Sequence, residues 1–204
     1  MEQKSELHNE AEIVVMIYFR ARQSFEIYKY IIKQNTEDPF WVQIMYLTIK
    51  DTILELDKLF SEKKKNHKFC IAKLIDKANK SRQLDSASSD NPSIIKWKNE
   101  IIKFYPFIEQ ISNLRDKHFA HTDKHDPTGL NTLTIDYRSI VDNNKIEELF
   151  DFLDRVIKEI YLKYIGGYYD TSLFFTADRI NVFAKLKEYS ILKNKQLAQR
   201  LNKQ

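Results

Sequence analysis

The stretch that decides the fold is residues 92–123, PSIIKWKNEIIKFYPFIEQISNLRDKHFAHTD. Its apolar positions Ile94, Trp97, Ile101, Phe104, Ile108 and Ile111 are spaced 3, 4, 3, 4 and 3. That spacing places them along one face of an α-helix, since a turn takes about 3.6 residues. The preceding run, Ser86 to Asn91, is loop-like. It ends in a capping residue followed by Pro92, so a helix is predicted to start there. Pro106 lies inside the stretch, and a kink or break is expected at it. Continued by steps of 4 and 3, the apolar stripe reaches Arg115 and His118. The core-facing stripe therefore ends in two polar residues.

Outward from this helix, the same periodicity recurs. Residues 7–33 read as a first helix, with Ile13, Ile17, Ile27 and Ile31 among the positions expected to be buried. The turn Asn35 to Pro39 ends it, with Asp38 as cap and Pro39 at the first position of a second helix that reaches about Phe60. Ile49, Ile53, Leu56 and Phe60 form its stripe. A shorter helix is predicted over 69–79. After the polar segment 122–131, residues 133–137 alternate and read as a short extended piece. A helix over 145–165 follows, buried through Ile146, Leu149, Leu153, Val156 and Ile160 and terminated by Gly166 and Gly167. A last helix is predicted over 177–201. The expectation is an all-α bundle of four to five long helices over residues 1–165, with a C-terminal helical extension, 166–204, packed on it.

Composition agrees with this reading. The chain has 204 residues, and Gly and Pro together occupy 7 of them. That is about 3%, against a usual share of roughly 12%. So few turn residues exclude sandwiches, barrels and doubly wound folds, and the lone Gly166-Gly167 pair excludes a glycine-rich phosphate loop. The longest apolar run, Ile13 to Phe19, is far short of the ~20 residues that span a bilayer. Glu2, Glu6, Glu10 and Glu12 give the first dozen residues the wrong charge for a secretory leader. A single cysteine, Cys70, forms no internal disulfide. A cytoplasmic protein with no membrane contact is expected. The net charge of +4 permits an anionic partner without demanding one. Residues 178–204, with seven basic side chains against two acids, are read as a solvated helix face.

Chemistry concentrates in Asn113-Leu114-Arg115-Asp116-Lys117-His118-Phe119-Ala120-His121-Thr122-Asp123. A half-buried guanidinium is unfavourable unless it is paired or meets an anion. Its planar fork matches phosphate oxygens, and a histidine nearby trades protons near neutral pH. Eight arginines and five histidines give about 0.6 such pairs by chance in this length, so the weight rests on the stripe and the helix-end position. The structural alternative is that Arg115 bridges to Asp57 or another acid across the bundle and His118 is a satisfied core histidine. A metal site built from His118, His121, Asp123, His125 and Asp126 is disfavoured. The His125-Asp126 doublet runs into Pro127 and Gly129, and His8 and His67 are poorly placed as distant ligands. No metal and no cofactor are expected.

The segment resembles the Arg-x(4–6)-His signature of the HEPN superfamily of small all-helical proteins. The string Arg-Asp-Lys-x-x-Ala-His-x-Asp over residues 115–123 is similar to the AbiU-type, abortive-infection branch. The resemblance covers about residues 7–165. It implies a metal-independent endoribonuclease of phage defence or toxin type. Such an enzyme would work as a homodimer on RNA, with an antitoxin or defence partner possible. Carried onto this chain, Arg115 would hold the scissile phosphate, His121 would act on the 2′-hydroxyl or the leaving oxygen, and Asp116 would orient one of them. His118, Asn113, Lys117 and Asp123 would support the site. Six residues along a helix turn the chain by about 240°, so Arg115 and His121 share no face unless the helix distorts or two copies each supply one group. The alternative within the same family is a non-catalytic nucleotide- or partner-binding module, a toxin–antitoxin component.

Overall fold

A computed structural model describes residues 2–34, 38–60, 69–83, 91–116, 141–167, 169, 188, 192 and 195. Five helices are seen among them: α1 (Glu2–Lys33), α2 (Pro39–Phe60), α3 (Ile71–Gln83), α4 (Pro92–Leu114) and α5 (Asn143–Ile160). The last continues as a wider π-helical turn, Tyr161–Ile165. No strand occurs among the described residues. The chain divides into two compact units, Met1–Tyr169 and Asp170–Gln204. In the second, Glu188, Leu192 and Lys195 are helical and exposed. The extended piece expected over 133–137 and most of the helix expected over 177–201 lie outside the described residues.

Three of the five helix starts have a local cause. The Asp38 carboxylate accepts the Phe40 N–H at 2.9 Å, and its carbonyl accepts from Val42 at 3.0 Å. Asn91 accepts the Ser93 N–H at 3.0 Å ahead of Pro92, and Asp142 accepts from Asn144 and Lys145 at 3.1 and 3.2 Å. These side chains satisfy amide donors that the first helical turn leaves unpaired. Gly166 ends the π turn at φ +82°, and both Gly166 and Gly167 donate to the Tyr161 carbonyl.

The stripes expected for α2 and α5 are buried in full, from Ile49 to Phe60 and from Ile146 to Ile160. In α4 only Phe104 is half-exposed, against Phe152. Pro106 does not break α4. Pro106 and Ile102, whose carbonyl loses its partner there, both lie on the exposed face, where water can satisfy the freed group. In α1 the expected seam is off by one position. Ile13, Ile17 and Ile27 are half-exposed, and only Ile31 is buried. The buried line is Leu7, Ala11, Val14, Tyr18, Ala21, Phe25 and Tyr28, spaced 4, 3, 4, 3, 4 and 3. Alanines and aromatics make this seam, so counting aliphatic residues alone misplaces it.

Helices α1 and α2 form the most extensive pairing, an antiparallel hairpin with Arg20 and Ser24 on Asp51 at its seam. Helix α5 runs antiparallel to α1, through Tyr18 with Phe150 and Arg22 with Glu147. It also runs antiparallel to α4, through Trp97 with Tyr164, Glu100 with Arg155 and Phe107 with Lys145. Helix α3 is tied to α1 through Lys77 and Glu6, and to α4 through Lys98 and Asp76. The C-terminal end of α4 meets the C-terminal part of α2, where the candidate site forms. No helix among the described residues is long and apolar enough to cross a membrane.

Candidate functional site

Helix α4 changes pitch where its stripe turns polar. The α-helical ladder ends at Leu114, and Arg115 and Asp116 take up a wider π-type turn. The Arg115 N–H is shared between the carbonyls of Ile111 and Ser112. Arg115 follows the buried Ile111 by four residues, so its side chain enters the bundle rather than leaving it. Only 18% of that side chain is exposed.

Inside, it meets an acid from another helix. Arg115 Nη1 donates to Asp57 Oδ2 at 2.7 Å. Asp57 sits between the buried Leu56 and Leu59 on α2, and its side chain is 1% exposed. Its second oxygen, Oδ1, accepts the Ser112 hydroxyl at 2.6 Å. Ser112 lies one turn before Arg115, so one helix supplies two donors to the same carboxylate. A buried acid with neither partner would be strongly unfavourable. Removing one member of such a pair typically costs about 3–5 kcal/mol. Asp57 therefore fixes where the guanidinium sits.

A second carboxylate takes another edge of the fork. Arg115 Nε donates to Asp116 Oδ1 at 2.8 Å, and Nη2 donates to the same oxygen. Asp116 is half-exposed, so this contact lies at the solvent boundary. Three of the five guanidinium N–H donors are thus engaged by two acids. Among the described residues, the other two meet no acceptor.

Of the residues singled out in the sequence, Arg115 and Asp116 come together. Asn113 does not join them. It is exposed, about 200° around the helix from Arg115. Lys117, His118, His121 and Asp123 lie outside the described residues, as do His125 and Asp126. No group of three or more metal-binding side chains occurs among the described residues. Asp57 and Ser112 are the members that the motif did not supply. Asp57 entered the sequence reading only as one acid that Arg115 could bridge to. Its signal is faint, a carboxylate near Leu56, Leu59 and Phe60 on a helix that also buries Thr52 and Glu55. Nothing local says which cation would reach it across 58 residues. Just after Gly167, the Tyr169 ring stacks on Tyr161 at 5.0 Å and packs against Phe19 at 5.6 Å.

The comparisons with known proteins bear on the whole chain. No curated protein and no solved structure matches it. The family model described as AbiU2, of HEPN type, matches residues 3–182, which takes in all five helices and the Arg115–His121 segment. With 180 of its 204 residues inside that match, the chain belongs to the AbiU2 family of abortive-infection HEPN domains.

Proposed function

We propose that the protein is a metal-independent endoribonuclease of HEPN type. It acts in phage defence or as a toxin and cleaves RNA at a composite site completed by a second copy. The observation that carries this reading is the half-buried Arg115 at the end of α4, gripped by the nearly inaccessible Asp57. A guanidinium fixed in this way can stabilise charge that develops on a phosphate without reorganising. Family membership supports the same chemistry.

In this mechanism Arg115 holds the non-bridging oxygens of the scissile phosphate with Asp57 orienting it, and Asp116 orients it until the phosphate arrives. His121 takes the proton of the 2′-hydroxyl or delivers one to the leaving oxygen. The 2′-oxygen bonds to phosphorus, the 5′-oxygen departs and is protonated, and a cyclic phosphate and a 5′-hydroxyl remain. His118, Lys117, Asp123 and Asn113 are the supporting candidates around this step. A homodimer lets one copy supply the arginine and the other the histidine, which removes the 240° conflict within one helix.

The test is RNA cleavage by wild type, Arg115→Ala and His121→Ala on total RNA and tRNA in EDTA, once circular dichroism shows all three folded. Cleavage by wild type alone is expected. A wild type that is inert with or without added metal overturns the reading. It favours the second one, a non-catalytic nucleotide- or partner-binding module of a toxin–antitoxin pair. One observation speaks for that second reading: Arg115 already meets two carboxylates within its own chain.

A further inference from the structure

We infer that Asp116 is a displaceable internal ligand of Arg115, occupying the edge of the guanidinium that an incoming phosphodiester takes over. The inference rests on the ribonuclease reading for the identity of the phosphodiester. Its own ground is the difference between the two carboxylates that Arg115 holds.

Asp57 is built to stay. It is 1% exposed, and its other oxygen is occupied by Ser112 at 2.6 Å. Parting it from Arg115 separates a buried charge from that guanidinium in the core. Asp116 is built to leave. It is 50% exposed, so its carboxylate is already open to water while it holds Arg115. It also fills its position imperfectly. One oxygen, Oδ1, serves both Nε and Nη2. The stronger arrangement is the parallel pair, in which each N–H has an oxygen of its own. A phosphodiester carries two non-bridging oxygens and supplies that pair. In the exchange Asp57 keeps Nη1, the phosphate takes Nε and Nη2, and nothing leaves the core.

The closed arrangement also restrains the site. Among the described residues, two acids face one guanidinium until Asp116 moves. An anion must compete with a ligand already tethered to the next residue. A site that is open only one-tenth of the time has an apparent affinity about tenfold weaker than its intrinsic one. Removing the Asp116 carboxylate should restore that factor.

The experiment uses the full chain and a short 2′-O-methyl RNA, which lacks the attacking hydroxyl and cannot be cut by the proposed route. Binding is followed by fluorescence anisotropy for wild type, Asp116→Asn, Asp116→Ala and the double variant Arg115→Ala/Asp116→Asn. Glu109→Gln, an exposed acid on the same helix, controls for the change in net charge. Asp116→Asn and Asp116→Ala should bind about tenfold more tightly than wild type. The double variant and Glu109→Gln should show no such gain. The inference is overturned if neither Asp116 variant gains affinity, if neither binds at all, if Glu109→Gln gains as much, or if the gain survives loss of Arg115. Cleavage of unmodified RNA by the same preparations separates the two ideas. Tighter binding without cleavage upholds the internal ligand and removes the ribonuclease. Cleavage by wild type without the gain does the reverse.

Discussion

Arg115 of α4 and Asp57 of α2 meet through a 2.7 Å contact, with the carboxylate 1% exposed and the guanidinium 18% exposed. The pair joins two helices at the point where the apolar seam of α4 gives out. It is at once a packing element and the fixed point of the candidate site, and the two roles predict different responses to substitution.

As a packing element, the pair should be costly to halve and cheaper to remove. Asp57→Ala and Arg115→Ala should each destabilise the protein by about 3–5 kcal/mol in chemical denaturation, because each strands a buried charge or its partners. Asp57→Leu with Arg115→Met should recover much of that loss, since two apolar side chains need no partner. Activity on RNA should not return with stability.

As the fixed point of the site, Arg115 should not tolerate lysine. Arg115→Lys keeps the charge and loses the planar fork that spans Asp57 and a phosphate together. A drop of roughly 10²–10³-fold in kcat is expected, the usual scale for losing one donor to a developing oxyanion. A single-turnover cleavage assay on a defined oligonucleotide measures it.

The α1 seam predicts a contrast on one helix. Phe25→Ala opens a cavity at a fully buried position and should cost about 3–5 kcal/mol. Ala21→Leu overfills a position that is also 0% exposed and should cost about 1–3 kcal/mol. Ile13→Ala and Ile17→Ala, at half-exposed positions, should cost less than either. Urea midpoints of the four variants decide this.

Alkaline pH should weaken the fold through its tyrosines. Burial, assisted by the neighbouring Asp154, pushes the Tyr18 hydroxyl well above the usual tyrosine range. Burial does the same for Tyr169, next to Tyr18 and Tyr161. A raised value favours the protonated folded form. This stability is complete below the unfolded tyrosine value of about 10 and is lost as pH rises above it. For Tyr18 the slope approaches about 1.4 kcal/mol per pH unit. Tyr18→Phe should flatten the decline of Tm between pH 10 and 11. Tyr169→Phe should also raise Tm at neutral pH, because the Tyr169 hydroxyl is buried with no hydrogen-bond partner among the described residues.

The helix terminus offers a test of backbone conformation alone. Gly166 holds φ +82°, and a Cβ placed there meets nothing within 4 Å among the described residues. Gly166→Ala should therefore cost about 1–2 kcal/mol from the left-handed conformation only. Gly167→Ala would meet Tyr161 Cδ1 at 3.8 Å, an ordinary contact, and should cost less. Thermal melts of the two variants give the comparison.

Much of this protein was written in its one-dimensional pattern. Scarcity of glycine and proline, apolar steps of three and four, and Asp38 and Asn91 at helix starts set an all-α chain with its boundaries nearly placed. These are local effects, fixed by the period of the helix and the reach of a side chain to the next amides. The family was also legible, because the string from Arg115 to Asp123 is contiguous. The identity of the α1 seam was not. Alanine and tyrosine are buried or exposed according to what faces them, and the facing helices lie far along the chain. Nor was the choice of Asp57 as the partner of Arg115. Several acids on other helices were available to a cation at that position. Only the approach of α2 to the end of α4 brings one of them within 2.7 Å and takes it out of water. Burial and pairing are properties of three-dimensional neighbours, so the tertiary structure alone decided them.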